Sequence, residues 1–156
     1  MNSNLWRLSH RLYAGGGNHL GRISEIIYNI LCSNGISTKA KIGDGTVFYH
    51  HGVGCVVHEL SQIGENCRIF SNVTIGCKWA ENEEPGMPPK IGNHVMIGAG
   101  AVILGNISVG DNSIIGANSV VLEDIPENSI TVGVPAIIRK RLSKTDCNNY
   151  SNVRRI

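Results

Sequence analysis

The chain has 156 residues, the length of one domain, and its net charge of +2 argues against a general nucleic-acid binder. Aromatics are only 5% of the residues while glycine occurs 19 times, so a core of Ile and Val with glycine at corners is expected. The five cysteines (Cys32, Cys55, Cys67, Cys77, Cys147) are odd in number and form no CxxC pair, which excludes a disulfide framework and points to a reducing, cytoplasmic setting.

In chain order, residues 1–35 read as a helical N-terminal cap. Leu5, Leu8 and Leu12 give a short helical stripe, broken at Gly15-Gly16-Gly17. Ile23, Ile26, Ile27, Ile30 and Leu31 give a stronger one, and Gly35 is a plausible stop. These helices are expected to cap the first coil and shield the open end of its sheets, packed on the coil or on a neighbouring subunit. No apolar run approaches the ~20 residues of a transmembrane helix, and no signal-peptide pattern opens the chain.

From residue 36 the grammar changes to a beat of six. Ile63, Ile69 and Ile75 keep it, and so do Ile91, Ile97, Ile103, Val109, Ile115 and Val121. Most are followed by glycine. A period of six fits neither a helix nor an alternating strand. It fits a chain that turns a corner every six residues and points one aliphatic side chain inward per side. Three sides make a coil, so equivalents recur every 18, as in Ile97-Gly98-Ala99 and Ile115-Gly116-Ala117. The expected fold is an all-β solenoid, a parallel β-helix over residues 36–136.

The beat breaks twice. Val57 comes nine residues after Phe48, so extra residues bulge at Tyr49-His50-His51-Gly52. A polar, proline-rich loop then fills residues 77–90. Residues 137–156 read as a polar tail. Irregular excursions from a regular coil are where function is expected.

His50 and His51, at the first break, are the candidate general bases, because imidazole titrates near neutral pH. Gly76 and Cys77, where sheet gives way to loop, are candidate oxyanion donors and acceptor contacts. Trp79 in the loop could stack on an acceptor. Arg139 and Lys140 past the last coil could meet phosphates. A metal site would need His50, His51, His58 and His94 to converge; their spacing does not repeat by one coil, so no metal is expected.

The run HVMIGAGAVILGNISVGDNSIIGANSVVLEDIPENSITVGVPAIIRK resembles the C-terminal part of serine acetyltransferases and related hexapeptide-repeat acyltransferases. KIGDG, HGVGCVVHE, NVTIG and PKIG match in order. The resemblance covers about residues 36–140. It implies a left-handed winding, a homotrimer, and acetyl-CoA as co-substrate in a groove between subunits. It implies CoA contacts from Gly76, Gly98, Ala99, Gly116 and Ala117, with Arg139 and Lys140 near the phosphates. It places the catalytic histidine on His51, with His50 as the alternate because the segment carries one extra residue.

The departures bear on the acceptor. Where that family reads Asp-His, this chain reads His50-His51. The family's upstream aspartate falls on Gly35, and its Arg-His pair on Met87-Pro88. A zwitterionic serine needs charged partners. The expectation is therefore an O-acetyltransferase acting on a sugar hydroxyl of a surface polysaccharide, with serine as the alternative acceptor and a non-catalytic scaffold as a third reading. The partner orienting His51 is expected to be Glu59, His58 or a residue of the next subunit.

Overall fold

The computed structural model describes residues 10–12, 15, 18–78, 86–143 and 146. After a helical stretch at residues 10–12, helix α1 (Asn18–Cys32) precedes a succession of short strands. In chain order these are β1 (Gly35–Ile36), β2 (Lys41–Ile42), β3 (Val47–Phe48), β4 (Val56–Val57), β5 (Gln62–Ile63), β6 (Arg68–Ile69), β7 (Thr74–Gly76) and β8 (Lys90–Ile91). They continue as β9 (Met96–Ile97), β10 (Val102–Leu104), β11 (Ser108–Val109), β12 (Ile114–Ile115), β13 (Val120–Val121), β14 (Ser129–Gly133) and β15 (Ala136–Arg141).

The chain deals these strands to three parallel sheets in rotation. The first sheet is ordered β1-β4-β7-β10-β13, the second β2-β5-β8-β11, and the third β3-β6-β9-β12-β14, closed by β15. Among the described residues only the β14–β15 pair is antiparallel. Regular coils step by 18 residues, as Val102 pairs with Val120 and Met96 with Ile114. The first coil steps by 21, with Lys41 opposite Gln62. The three extra residues are the histidine bulge. The 77–90 loop lengthens another step to 28, with Gln62 opposite Lys90.

Each two-residue strand turns its second side chain inward. Ile36, Val57, Ile75, Ile103 and Val121 fill the column behind the first sheet; Phe48, Ile69, Ile97 and Ile115 fill the third, all nearly or fully buried. A buried Ile or Val is worth about 1.5–3 kcal/mol, but only when coils above and below exclude water, so the stability is collective. The corners need a left-handed backbone residue. Asn66, Asn72, Asn112, Asn118 and Asn128 supply it with φ of 55–60°. Asparagine tolerates that region because its short amide bonds locally.

α1 sits on the first coil, but its aliphatic stripe faces outward: Leu20, Ile23, Ile26, Ile27, Ile30 and Leu31 are all more than half exposed. Its inward side carries Gly21, Glu25, Tyr28 and Cys32, with Tyr28 buried in the core. The Glu25 carboxylate accepts from the Thr38 amide at 3.2 Å and its hydroxyl at 2.9 Å, and the Tyr28 hydroxyl donates to the His51 carbonyl at 3.4 Å. Polar anchors to the coil, rather than burial of the stripe, fix this helix. Leu5 and Leu8 lie outside the described residues.

Candidate active site

The expected catalytic bulge is a tight turn, Tyr49–Gly52, between β3 and β4. His50 and His51 take left-handed φ of 51° and 60°, which turns both imidazoles out to solvent. Gly52 follows at φ 68°, packed so closely that a Cβ would meet Ile36 Cδ1 at 2.9 Å. Three contacts hold the strained turn. The His51 carbonyl accepts from Tyr28 and from Asn34 Nδ2 at 3.1 Å, and the His50 carbonyl accepts from the Val53 amide at 3.2 Å. Burial pushes the Tyr28 hydroxyl above its ordinary pKa, so it stays a protonated donor. The turn borders a cavity of about 480 Å³ lined by Val47, Phe48, Tyr49, His50, His51 and Val53. A smaller one of about 180 Å³, lined by Gly45, Val47, Tyr49, Asn66 and Arg68, shares Val47 and Tyr49 with it.

Among the described residues, no hydrogen bond from a side chain to either imidazole is seen. The two expected orienting groups are committed elsewhere. Glu59 pairs with Lys39 at 2.5 Å, and that hydrogen bond holds its carboxyl below the usual range. His58 Nδ1 accepts from the Leu60 amide at 3.2 Å.

The sheet rotation sorts the other candidates by corner. The corner from third to first sheet carries the histidine turn, then Ser71-Asn72, then Ala99-Gly100, then Ala117-Asn118. A ladder joins these levels: Asn72 N to Val53 O at 2.8 Å, Gly100 N to Ser71 O at 3.0 Å, Asn118 N to Ala99 O at 2.9 Å. His50, His51, Gly98, Ala99, Gly116 and Ala117 therefore share one edge of the coil. Arg139 and Lys140 lie on exposed β15 at the far end of the third sheet, where Lys140 pairs with Asp146 at 3.3 Å.

Gly76 and Cys77 lie elsewhere. Gly76 ends β7 and Cys77 follows it at the opposite margin of the first sheet, and Gly76 O accepts from the Gly105 amide at 3.0 Å. Within one chain they are not brought to the histidine edge. Burial raises the Cys77 thiol, which makes a poor nucleophile at neutral pH. Trp79 lies outside the described residues. His58 and His94 stand on the two other edges, so the histidines do not converge, and no group of three potential ligands occurs among the described residues.

Sequence reasoning missed Tyr28, Asn34 and the aromatic pair Tyr49–Phe70, whose rings stack at 4.7 Å and 7°. Tyr49 and Phe70 occupy equivalent positions one long coil apart, a spacing of 21 that only the register reveals. Gly98 also acquires a plainer duty. A Cβ there would meet the Ala117 backbone nitrogen at 2.5 Å. Gly98→Ala should therefore cost about 1–3 kcal/mol by overpacking, read as a lower urea midpoint; an unchanged midpoint would show that the coils can spread.

Residues 88–123 match the bacterial transferase hexapeptide family (six repeats). The serine acetyltransferase of Synechococcus elongatus is 36% identical over 83% of this chain and 52% of its own length. The chain is a hexapeptide-repeat, serine acetyltransferase-like protein. Among solved structures, the serine acetyltransferase of Brucella abortus in complex with coenzyme A is 36% identical, with a TM-score of 0.80 over 90% of this chain and 55% of that one. The Neisseria gonorrhoeae enzyme in complex with serine is 38% identical, with a TM-score of 0.76 over 87% and 54%. This hexapeptide-repeat protein thus spans little more than half the length of these relatives.

The comparisons overturn the expected glycan acceptor. The relatives, at 36–39% identity, are serine acetyltransferases. The expectation rested on missing charges at Gly35, Met87 and Pro88. Of those positions in this serine acetyltransferase-like protein, Gly35 opens β1, Pro88 is buried and Met87 is half exposed. A charge missing from one position removes one contact and creates no sugar site.

Proposed function

We propose that the chain is an acetyl-CoA-dependent serine O-acetyltransferase. The observation that carries the reading is the single edge on which the strained histidine turn lines up with the Ala99 and Ala117 corners, in a chain similar to serine acetyltransferases. Acetyl-CoA lies along that edge, with its thioester at the turn and its phosphates toward Arg139 and Lys140. His51, or His50 beside it, takes the proton from the serine hydroxyl as that oxygen attacks the thioester carbonyl. Collapse of the tetrahedral intermediate breaks the C–S bond, and the imidazolium returns the proton to the CoA sulfur. Alignment of two bound substrates replaces a bimolecular encounter.

The serine carboxylate needs a cation. Arg68 supplies it in this reading, because it lines the smaller cavity that adjoins the histidine one. Gly76 and Cys77 complete the groove from a neighbouring subunit. Two outward columns support a trimer: Val56, Thr74, Val102 and Val120 on the first sheet, and Val47, Arg68, Met96, Ile114 and Ile130 on the third, where Arg68 is the one charged member. The second sheet presents Lys41, Gln62, Lys90 and Ser108 instead. The winding is left-handed in this reading, residues 1–35 cap the coil of 36–136, and the tail follows. No helix among the described residues is long and apolar enough to cross a membrane; a cytoplasmic setting fits the co-substrate and the buried thiols Cys55 and Cys67.

The test is thiol release from acetyl-CoA with L-serine, beside D-serine and a panel of sugars. Release with L-serine that Arg68→Ala weakens mainly through KM is the expected result. No release with L-serine, despite CoA-dependent thermal stabilisation, would overturn the acceptor assignment.

A further inference from the structure

Tyr49 stands where the two cavities of the histidine edge meet. It lines the larger one with His50, His51 and Val53, and the smaller one with Asn66 and Arg68. Only Val47 and Tyr49 line both, and of the two Tyr49 has the bulk of a ring. A molecule that reaches from an imidazole to the Arg68 guanidinium therefore crosses the Tyr49 ring.

The ring is held in place by its neighbour on the next coil. Phe48 is in register with Ile69, so Tyr49 and Phe70, the residues that follow them, stand one above the other. Their rings stack at 4.7 Å and 7°, a separation close to the strand spacing and within the favoured range for aromatic pairs. Both are half-buried. Among the described residues the Tyr49 phenol makes no hydrogen bond, so the stack and not a polar tether sets the ring. The same column continues through Gly98 and Gly116, which follow Ile97 and Ile115. It carries no side chain there. The two rings thus form a wall at the histidine end of an edge that is otherwise bare.

We infer that Tyr49 is the residue that sets acceptor length: its ring, braced by Phe70, fixes the span between the histidine cavity and the arginine cavity, so that a β-hydroxy amino acid fits and a γ-hydroxy amino acid does not. This rests on the reading of the chain as a serine O-acetyltransferase with Arg68 at the acceptor carboxylate. Hydroxyl and carboxylate are pinned at the two ends, so one extra methylene has to bow toward the ring. A side chain that could swing away would make room. A stacked one does not, and a shaped pocket discriminates a single methylene by about 10–200-fold.

The experiment is thiol release from acetyl-CoA with L-serine and with L-homoserine, for wild type, Tyr49→Phe, Tyr49→Ala and Phe70→Ala. The quantity read is the ratio of kcat/KM for the two acceptors, which does not depend on the fraction of enzyme folded. Wild type favours serine. Tyr49→Phe keeps the ratio, because the ring remains. Tyr49→Ala shifts it toward homoserine by about tenfold or more. Phe70→Ala, which removes only the brace, shifts it the same way by less, and decides the matter where Tyr49→Ala fails to fold. An unchanged ratio in the alanine variants, with L-serine still acetylated, would overturn the inference and leave the serine reading standing. A shift as large in Tyr49→Phe would overturn it too, by assigning the discrimination to the phenol. No turnover of L-serine by wild type would overturn the serine reading, and the inference with it.

Discussion

His51→Ala lowers the turnover of acetyl-CoA with L-serine by about 10²–10⁴-fold, the usual contribution of a positioned general base. His50→Ala, measured beside it, loses far less. CoA-dependent thermal stabilisation is unchanged in both, because the Ala99 and Ala117 corners lie two and three coils away along the same edge. The turn survives the substitution because its anchors are backbone carbonyls, gripped by Tyr28, Asn34 and Val53, and not imidazole nitrogens. A loss of rate confined to His50→Ala would move the base one residue upstream. Rates near wild type in both would remove the histidine turn from the chemistry altogether.

Ile97→Ala costs about 2–5 kcal/mol. Ile97 is fully buried, in register with Ile69 on one side and Ile115 on the other. Truncation opens a void between them that close-packed coils cannot collapse around. Domains of this kind hold a total of about 5–15 kcal/mol, so the loss is a large share. In urea the midpoint falls while the slope keeps its value, because the same surface is exposed on unfolding. A loss below about 1 kcal/mol would mean that the column is not packed to the density of an ordinary core.

The coil was legible because its physics is local and repeated. Ile63, Ile69 and Ile75 announce the corner spacing by themselves, and each further turn restates it. The histidine bulge was legible as the one place where the beat gains three residues between Phe48 and Val57. The orientation of α1 was not legible. Periodicity marks a stripe without saying which way it points, and the deciding contacts, Glu25 with Thr38 and Tyr28 with His51, link residues 13 and 23 apart. Gly76 and Cys77 were singled out because sheet gives way to loop there, and within one chain the three-sheet rotation puts them on a different edge from the histidines. The acceptor was misread because missing charges at Gly35, Met87 and Pro88 were given more weight than the similarity of the whole repeat. Arg68 carried no motif, and only its place beside Val47 in the third sheet brings it near the turn.

The ladder along the histidine edge also makes the protein a ruler. Adjacent coils are held one strand spacing apart, about 4.8 Å, and the hydrogen bonds from the Asn72 amide to the Val53 carbonyl, Gly100 to Ser71 and Asn118 to Ala99 leave no slack between marks. The separation of the imidazoles from each small-residue corner is thus fixed in whole steps. Point changes alter what is written at a mark, but only gain or loss of an entire 18-residue coil can move one mark relative to another. Evolution along such an edge is free to change chemistry at any level while the reach from turn to corner stays digital.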